Sequence, residues 1–289
     1  MKPAPFDYVA PVSVAEALDT LAEAGGGATV LAGGQTLMPL LNLRMSQPFI
    51  LVDINRVEGI RGVSHSAGTT RIAAGTRQAA GLADAELAAT QPVLVKALSH
   101  VGHHQTRNRG TIGGSVALGE PAAEMPATAV ALGAELEIHS KRGERRVKAE
   151  DFYFGPYMTA LEPDELLTAI HYPRWPADTI TVFREVAQRP GDFALVGLVG
   201  AVQVEGGRIA RAGLAWFGMG PTPIKARQAE AALLGRTVDE IDCRAIAELA
   251  VADTAPFDDQ HATSHYRRTV GGRIFARTLG EALNVRQTA

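Results

Sequence analysis

The chain has little cysteine, few aromatic residues and no long apolar run. Cys243 is its one cysteine in 289 residues, so the chain can form no internal disulfide. An iron–sulfur cluster takes four ligands, mostly thiolates, so this chain's own cysteines cannot hold one. No stretch approaches the roughly 20 apolar residues of a membrane-spanning helix. Residues 1–8 contain no apolar core of signal-peptide length, and we expect a cytoplasmic protein.

An excess of basic charge is also missing. The formal net charge is −3, which gives no basic footprint for binding nucleic acid. Hydrophobic residues make up 46% of the chain and charged residues 20%, as in ordinary globular proteins. The length is sufficient for about two domains. These values indicate a globular protein and leave its chemistry open.

Two common phosphate-binding motifs are absent as well. The Gly-x-Gly-x-x-Gly spacing of dinucleotide-binding folds does not occur. Gly218 and Gly220 come nearest to it, but Pro221 and Pro223 follow them, which is typical of a loop. No Gly-Lys-Ser/Thr occurs, so the P-loop is excluded too. A phosphate site in this chain must use another arrangement.

Glycine is plentiful, and two glycine segments carry most of the information. Residues 32–36 read Ala-Gly-Gly-Gln-Thr, and residues 111–115 read Thr-Ile-Gly-Gly-Ser. Each segment offers consecutive backbone N–H groups with little side chain in the way, and each ends in a hydroxyl residue. Alone, each is more often a plain turn than a site. Together they predict a binding site for the two phosphates of one ligand.

The surroundings of the two segments support this hypothesis. The first joins a predicted strand, 28–32, to a predicted helix, 36–43, and a helix N-terminus favours anions. Pro39 is tolerated in the first turn of that helix. Arg107 and Arg109 precede the second segment and add positive charge.

The first half of the chain predicts mixed helices and strands. A helix over 13–24 begins with Ser13 and Glu16, the pattern of a capping box. Further helices are predicted at 91–104 and 125–132, and strands at 49–54, 71–75, 135–139 and 165–171.

The second half predicts a separate α+β domain. Two prolines within 172–176 mark the boundary. Strands at 181–187, 194–204 and 209–217 form an antiparallel sheet, with a hairpin turn at 205–208. Helices follow at 225–234, 239–252 and 265–283.

Two clusters of titratable residues leave alternatives open. His100 and His104 have ligand spacing on the predicted helix, and His103 lies between them, but no carboxylate or cysteine completes a metal site. A cationic cluster at the C-terminus of the helix is the favoured interpretation. Glu120 and Glu124 follow the second glycine segment; they could hold a ribose or a ring N–H, or form a solvated turn.

Residues 32–41 and 107–115 resemble the paired FAD-binding signatures of the medium, flavoprotein subunit of molybdenum hydroxylases, the carbon monoxide dehydrogenase/xanthine dehydrogenase family. The similarity extends to Phe6-Asp7-Tyr8, to Pro-Ala-Ala-Glu at 121–124 and to residues 189–194. It implies an α+β protein. Residues 1–174 would form a two-lobed FAD-binding domain of the vanillyl-alcohol-oxidase (PCMH) type, with lobes at about 1–55 and 56–174. Residues 175–289 would form the small α+β domain.

The resemblance also implies the residues that bind the cofactor. Glu124 stands where the family usually has an aspartate, and Phe193 stands where an aromatic residue of the second domain lies near the flavin ring. The implied FAD-binding residues are Ala32, Gly33, Gly34, Gln35, Thr36, Leu37, Thr111, Ile112, Gly113, Gly114, Ser115, Glu124, Leu161, Leu166 and Phe193. The FAD would be non-covalent, because Gln35 follows the glycine pair and Cys243 lies in the other domain.

The implied role is electron transfer within an oxidoreductase. A large subunit would hold the molybdenum cofactor, a small subunit would hold two [2Fe-2S] clusters, and the complex would be a dimer of heterotrimers that passes electrons to an external acceptor. This chain would then need no catalytic acid or base of its own and no metal. A stand-alone FAD oxidase of the same superfamily and a non-enzymatic nucleotide-binding module are the alternatives. The substrate stays open among carbon monoxide, purines, N-heterocycles and aldehydes.

Overall fold

The N-terminal lobe contains three parallel strands and two helices in a computed structural model that describes residues 2–284. Met1 and residues 285–289, which the predicted domains include, lie outside the described residues. The elements are β1 (Asp7–Val9), α1 (Val14–Glu23), β2 (Ala28–Leu31), α2 (Leu37–Asn42) and β3 (Ile50–Asp53), and the strand order is β1-β3-β2. The predicted capping box is confirmed in outline: Ser13 Oγ accepts a hydrogen bond from the Glu16 N–H at 3.2 Å.

The second lobe contains a five-stranded antiparallel sheet and six helices. Its strands are β4 (Val63–His65), β5 (Thr69–Ala73), β6 (Glu135–Ser140), β7 (Gly143–Lys148) and β10 (Leu166–Pro173), in the order β4-β5-β10-β6-β7. A two-stranded hairpin, β8 (Tyr153–Gly155) and β9 (Met158–Thr159), lies outside this sheet. The helices are α3 (Gln78–Ala83), α4 (Ala85–Thr90), α5 (Pro92–Leu98), α6 (His104–Arg109), α7 (Ile112–Leu118) and α8 (Glu124–Leu132).

The C-terminal domain is a four-stranded antiparallel sheet followed by three helices. The strands are β11 (Ile180–Val186), β12 (Val196–Glu205), β13 (Arg208–Phe217) and β14 (Ile224–Lys225), in sequential order. The helices are α9 (Arg227–Leu233), α10 (Cys243–Ala252) and α11 (Ser264–Leu283). The predicted sheet and all three predicted helices of this domain are confirmed.

Helix α8 joins the two halves of the molecule. All nine of its residues are buried, and it packs against β12 and β13. One face of the C-terminal sheet, including Phe217, belongs to the same apolar core as the second lobe. The other face packs on α9, α10 and α11, and the Trp216 indole N–H there donates to the Ala250 carbonyl at 2.9 Å. Because the sheet is covered on both faces, β12 is buried along most of its length.

The predicted helix over 91–104 is confirmed at Pro92–Leu98 and is wrong beyond it. Helix α5 ends at Leu98, and the chain reverses at Gly102, where φ is +46°, before α6 begins at His104. Glycine adopts this left-handed conformation without a steric cost. His100 therefore follows one helix and His104 opens the next, so the ligand spacing inferred for them does not exist. In residues 2–284, no helix is both long enough and apolar enough to cross a bilayer.

Candidate functional site

The first glycine segment leaves a row of backbone donors without acceptors. It lies between β2 and α2, and Gly34 has φ +72°. Among the described residues, none accepts a hydrogen bond from the N–H groups of residues 33–36, nor from the Thr36 hydroxyl. Consecutive N–H groups in a turn of this kind form a concave binding surface for anions. A negatively charged ligand such as a phosphate fits this donor set.

The structure brings the two glycine segments together. A Cβ added to Gly33 would lie 2.6 Å from the Arg109 carbonyl oxygen and 2.7 Å from Gly110 Cα. A Cβ on Gly114 would lie 3.4 Å from the Cβ of Ala32. Contacts this close at Gly33 leave room for glycine alone. The two segments therefore form one continuous surface, as the hypothesis of a shared ligand requires.

The second segment, in contrast, uses its donors inside the chain. The N–H groups of Ile112 and Gly113 donate to the carbonyls of Thr76 and Ala74, each at 2.9 Å. The Gly114 N–H donates to Thr111 Oγ1 at 3.1 Å, which caps helix α7, and the Ser115 N–H donates to the Thr111 carbonyl at 3.3 Å. The expectation of two exposed donor rows is therefore met by the first segment and not by the second.

Gly113 shows why the second segment needs glycine. A Cβ at this position would lie 2.4 Å from both Cα and Cβ of Ala74. Glycine here lets helix α7 approach the chain just after β5. The second segment is therefore packed closely within its own lobe, and its half-buried members Gly114 and Ser115 are the ones left accessible to a ligand.

A polar network that the sequence did not reveal fixes the two segments. The Asn55 amide Nδ2 donates to the Ala32 carbonyl at 2.8 Å, and Arg77 Nη2 donates to Asn55 Oδ1 at 2.6 Å. Arg77 Nη1 donates to the Arg109 carbonyl. Asn55 follows the end of β3, beside the end of β2, and neighbouring parallel strands end at one edge of a sheet. That placement is the signal that could have identified Asn55; nothing local marks Arg77.

Positive charge surrounds this network. Burial lowers the pKa of Arg77, and the nearby Arg61 and Arg109 guanidiniums lower it further. Burial acts to raise the pKa of Asp53, but hydrogen bonds from Tyr8 and Asn55 and the charge of Arg109 hold it below its usual value. Three arginines beside an exposed donor row favour an anionic ligand. Arg107, which was expected to contribute, instead donates to the carbonyls of Val101 and Gly102 at 2.8 and 3.0 Å.

Glu124 is buried at the start of α8, next to the C-terminal sheet. Burial, with a smaller contribution from the nearby Glu185 of β11, raises the pKa of its carboxyl to about 8. Burial also raises the pKa of Glu185 to about 7, and its Oε2 is buried with no hydrogen-bond partner among residues 2–284. A solvated turn is therefore wrong for Glu124. At neutral pH it is a protonated acid, and it can donate a hydrogen bond to a ligand.

A cleft of about 530 Å³ separates the turn between α5 and α6 from the end of β11 and the loop after it. His100, Arg107 and Glu185 line it. His100 lies against Phe183, with ring centroids 4.4 Å apart, and burial lowers the pKa of its imidazole. The expected cationic histidine cluster is therefore wrong at His100. A Cβ on Gly191 would lie 2.5 Å from the His103 ring, so this loop packs directly on the second lobe.

The remaining predicted residues have different environments. Phe193 is 61% exposed in the loop that follows Gly191. Leu161 is half-buried against the core of the second lobe, whereas Leu166 is buried in the core of the first lobe. Glu120 is held within the chain, because it accepts hydrogen bonds from the Tyr157 hydroxyl and the Ala122 N–H. Phe193, Leu161 and the half-buried Leu37 at the start of α2 therefore offer accessible apolar surface to a bound ring.

The two-lobed fold, with a free donor row held between the lobes, defines a nucleotide-binding domain of the FAD-dependent oxidoreductase type. Residues 4–175 match the family described as "FAD binding domain in molybdopterin dehydrogenase", and residues 181–282 match "CO dehydrogenase flavoprotein C-terminal domain". The chain belongs to this family of FAD-binding medium subunits of molybdenum hydroxylases, and the predicted fold class is confirmed.

Individual relatives align along nearly the whole chain. The 6-hydroxypseudooxynicotine dehydrogenase complex subunit alpha of Paenarthrobacter nicotinovorans is 38% identical, over 98% of this chain and 96% of the relative. The caffeine dehydrogenase subunit beta of a Pseudomonas species is 36% identical over the same shares. A solved structure of carbon monoxide dehydrogenase from Hydrogenophaga pseudoflava is 34% identical with a TM-score of 0.95, and it covers 98% of this chain and 99% of its own. The chain is therefore an oxidoreductase subunit with FAD as its cofactor.

Proposed function

We propose that this chain holds non-covalent FAD and transfers electrons from the [2Fe-2S] clusters of a small partner subunit to an external acceptor. A large partner subunit would carry the molybdenum cofactor and the substrate, and the complex would be a dimer of heterotrimers in the cytoplasm. The observation that carries the proposal is the row of free N–H groups at residues 33–36. Bound FAD would supply the redox chemistry, and the protein would supply its position and its electrostatic surroundings.

Different residues of the chain would contact different parts of the cofactor. Residues 33–36 and the Thr36 hydroxyl would donate hydrogen bonds to the diphosphate, while Arg77 and Arg109 offset its negative charge. Gly114 and Ser115 would form the opposite wall. Glu124, protonated at neutral pH, would donate one hydrogen bond to the cofactor.

The apolar residues would enclose the ring system. Leu161 and Phe193 would cover the ring, and Leu166 would support that surface from the core of the first lobe. The cleft between the domains would give an acceptor access to it. We retain residues 1–174 and 175–289 as the proposed domains, with the boundary after β10.

The test is to purify the chain alone and together with its partner subunits. We expect a yellow protein that releases FAD on denaturation, in a ratio of one FAD per chain. Substrate should bleach the flavin absorbance in the assembled complex and should leave it unchanged in the isolated chain. Bleaching of the isolated chain by a small-molecule substrate would contradict the proposal and indicate a stand-alone oxidase.

A further inference from the structure

A groove lined by arginines runs between helices α10 and α11. Its volume is about 700 Å³, and neither helix takes part in the candidate cofactor site. Small side chains form its base, among them Ala247 and Gly272, and four exposed arginines surround it: Arg244, Arg268, Arg273 and Arg277. Exposed guanidiniums above an apolar base are suited to a ligand that has both charged and apolar parts.

The arginines are spread along the groove. The two helices run antiparallel, because Gly272 lies beside Val251, while Arg268 donates to the carbonyl of Thr254 at 3.4 Å. Arg268 and Arg277 are nine residues apart on α11, which corresponds to about 13 Å along the helix axis. A single small anion needs guanidiniums that converge on one point. This spacing instead fits an elongated ligand that meets the charges one after another.

The groove is more basic than the protein as a whole. Its lining contains four arginines and one carboxylate, Glu248, whereas the whole chain has a formal net charge of −3. Arg277 Nε donates a hydrogen bond to Glu281 Oε1 at 2.6 Å and forms an ion pair with it. Within residues 2–284 no carboxylate forms an ion pair with Arg244 or Arg273. A local excess of one charge favours a partner surface of the opposite charge.

We propose that this groove docks an acidic segment of another subunit of the complex. The segment would place small apolar side chains on Ala247 and Gly272 and would turn its carboxylates to Arg244, Arg273 and Arg277. Arginine forms two parallel hydrogen bonds to a carboxylate, so each contact adds orientation as well as attraction. This inference rests on the proposed function, because the occupant is taken from the same complex.

The experiment uses the full chain co-expressed with its molybdenum and iron–sulfur partner subunits. A photo-reactive phenylalanine analogue at position 269, which lines the groove, records what occupies it, and mass spectrometry identifies the cross-linked segment. We expect one peptide rich in Asp and Glu from a partner subunit. A cross-link to nucleic acid, to a second copy of this chain or to a segment without carboxylates would overturn the inference.

Charge reversal gives an independent measurement. Arg273→Glu combined with Arg277→Glu should weaken assembly at least tenfold at low salt, and high salt should reduce the difference from the wild type. Arg236→Glu, an equal change per residue at an exposed position of the same domain and outside the groove, is the control and should leave assembly unchanged. FAD content should be the same in all three proteins, and the melting temperature of the double variant should fall only slightly, because Arg277 loses its ion pair with Glu281.

The possible failures can be told apart. If the wild-type chain does not assemble with such subunits at all, the proposed function is wrong and this inference falls with it. If the wild type assembles and the double variant assembles equally well, the inference alone is wrong.

Discussion

Residues 33–36 leave their backbone N–H groups without acceptors, whereas residues 112–115 donate theirs to acceptors inside the chain. Both segments contain a glycine pair and a hydroxyl residue. In the first segment the glycines leave the donors free for the proposed ligand. In the second they allow helix α7 to pack against Ala74. Similar sequence can therefore leave backbone donors free in one place and serve packing in another, and the acceptors nearby decide which.

The largest expected effect follows from the packing at Gly113. Gly113→Ala would place a methyl group 2.4 Å from Ala74, where backbone must move to accommodate it. Overpacking a buried contact in this way should lower the free energy of unfolding by about 3 kcal/mol. Urea denaturation of the FAD-free protein measures it. Gly68→Ala, with open space around the new methyl group, is the control and should change stability little.

A pH-dependent effect on stability should come from Glu124. Its carboxyl keeps a proton up to about pH 8 in the folded protein and loses it near its ordinary pKa of 4.5 in the unfolded chain. Between these values the folded state holds more protons, so the free energy of unfolding falls as pH rises, by up to about 1.4 kcal/mol per pH unit.

Glu124→Gln should remove much of this slope and stabilise the FAD-free protein at pH 8 relative to the wild type. Thermal melts between pH 5 and pH 9 provide the measurement. Glu58→Gln, a change at an exposed acid, should leave the slope as it is. Parallel melting curves for the wild type and Glu124→Gln across this range would show that Glu124 is ionised in the folded state.

The difference between the two segments could be predicted from the sequence only in part. The glycine pairs and their hydroxyl residues identified both segments as candidate phosphate sites, and the strand and helix around residues 32–36 follow from local periodicity. The roles of the N–H groups could not be predicted, because the acceptors at Thr76 and Ala74 lie more than 30 residues away. Arg77 was missed for the same reason, since its partners Asn55 and Arg109 are distant in sequence.

The break between α5 and α6 could not be predicted from the sequence for a different reason. Residues 91–104 have apolar spacing suited to one helix, but the chain turns at Gly102 and Arg107 donates to the two carbonyls freed there. A glycine inside a helical pattern is tolerated often enough that it does not predict a break. Glu124 was identified by its position alone, and its protonation depends on burial beneath the C-terminal sheet, which follows from tertiary packing.

An intermediate effect is expected at Gly33, where the two segments meet. Gly33→Ala would place a methyl group 2.6 Å from the Arg109 carbonyl, so the segments must separate. We expect FAD affinity to fall about tenfold, equivalent to about 1.4 kcal/mol, because the donors no longer face the opposite wall. Titration of the FAD-free protein with FAD, followed by flavin fluorescence, measures this change. Equal affinity in the variant would show that the second segment does not contribute to the site.

The smallest effects should separate the two segments most clearly, because Thr36 and Thr111 allow the same substitution in both. The Thr36 hydroxyl bonds to none of the described residues, so Thr36→Val should leave the free energy of unfolding unchanged and weaken FAD binding by about 1 kcal/mol. The Thr111 hydroxyl caps α7 through the Gly114 N–H, so Thr111→Val should cost about 1 kcal/mol of stability and change FAD affinity little. Urea denaturation and FAD titration of both variants give four values. If both variants lose affinity equally and neither loses stability, the second segment also binds the ligand, and the division of roles proposed for the two segments is wrong.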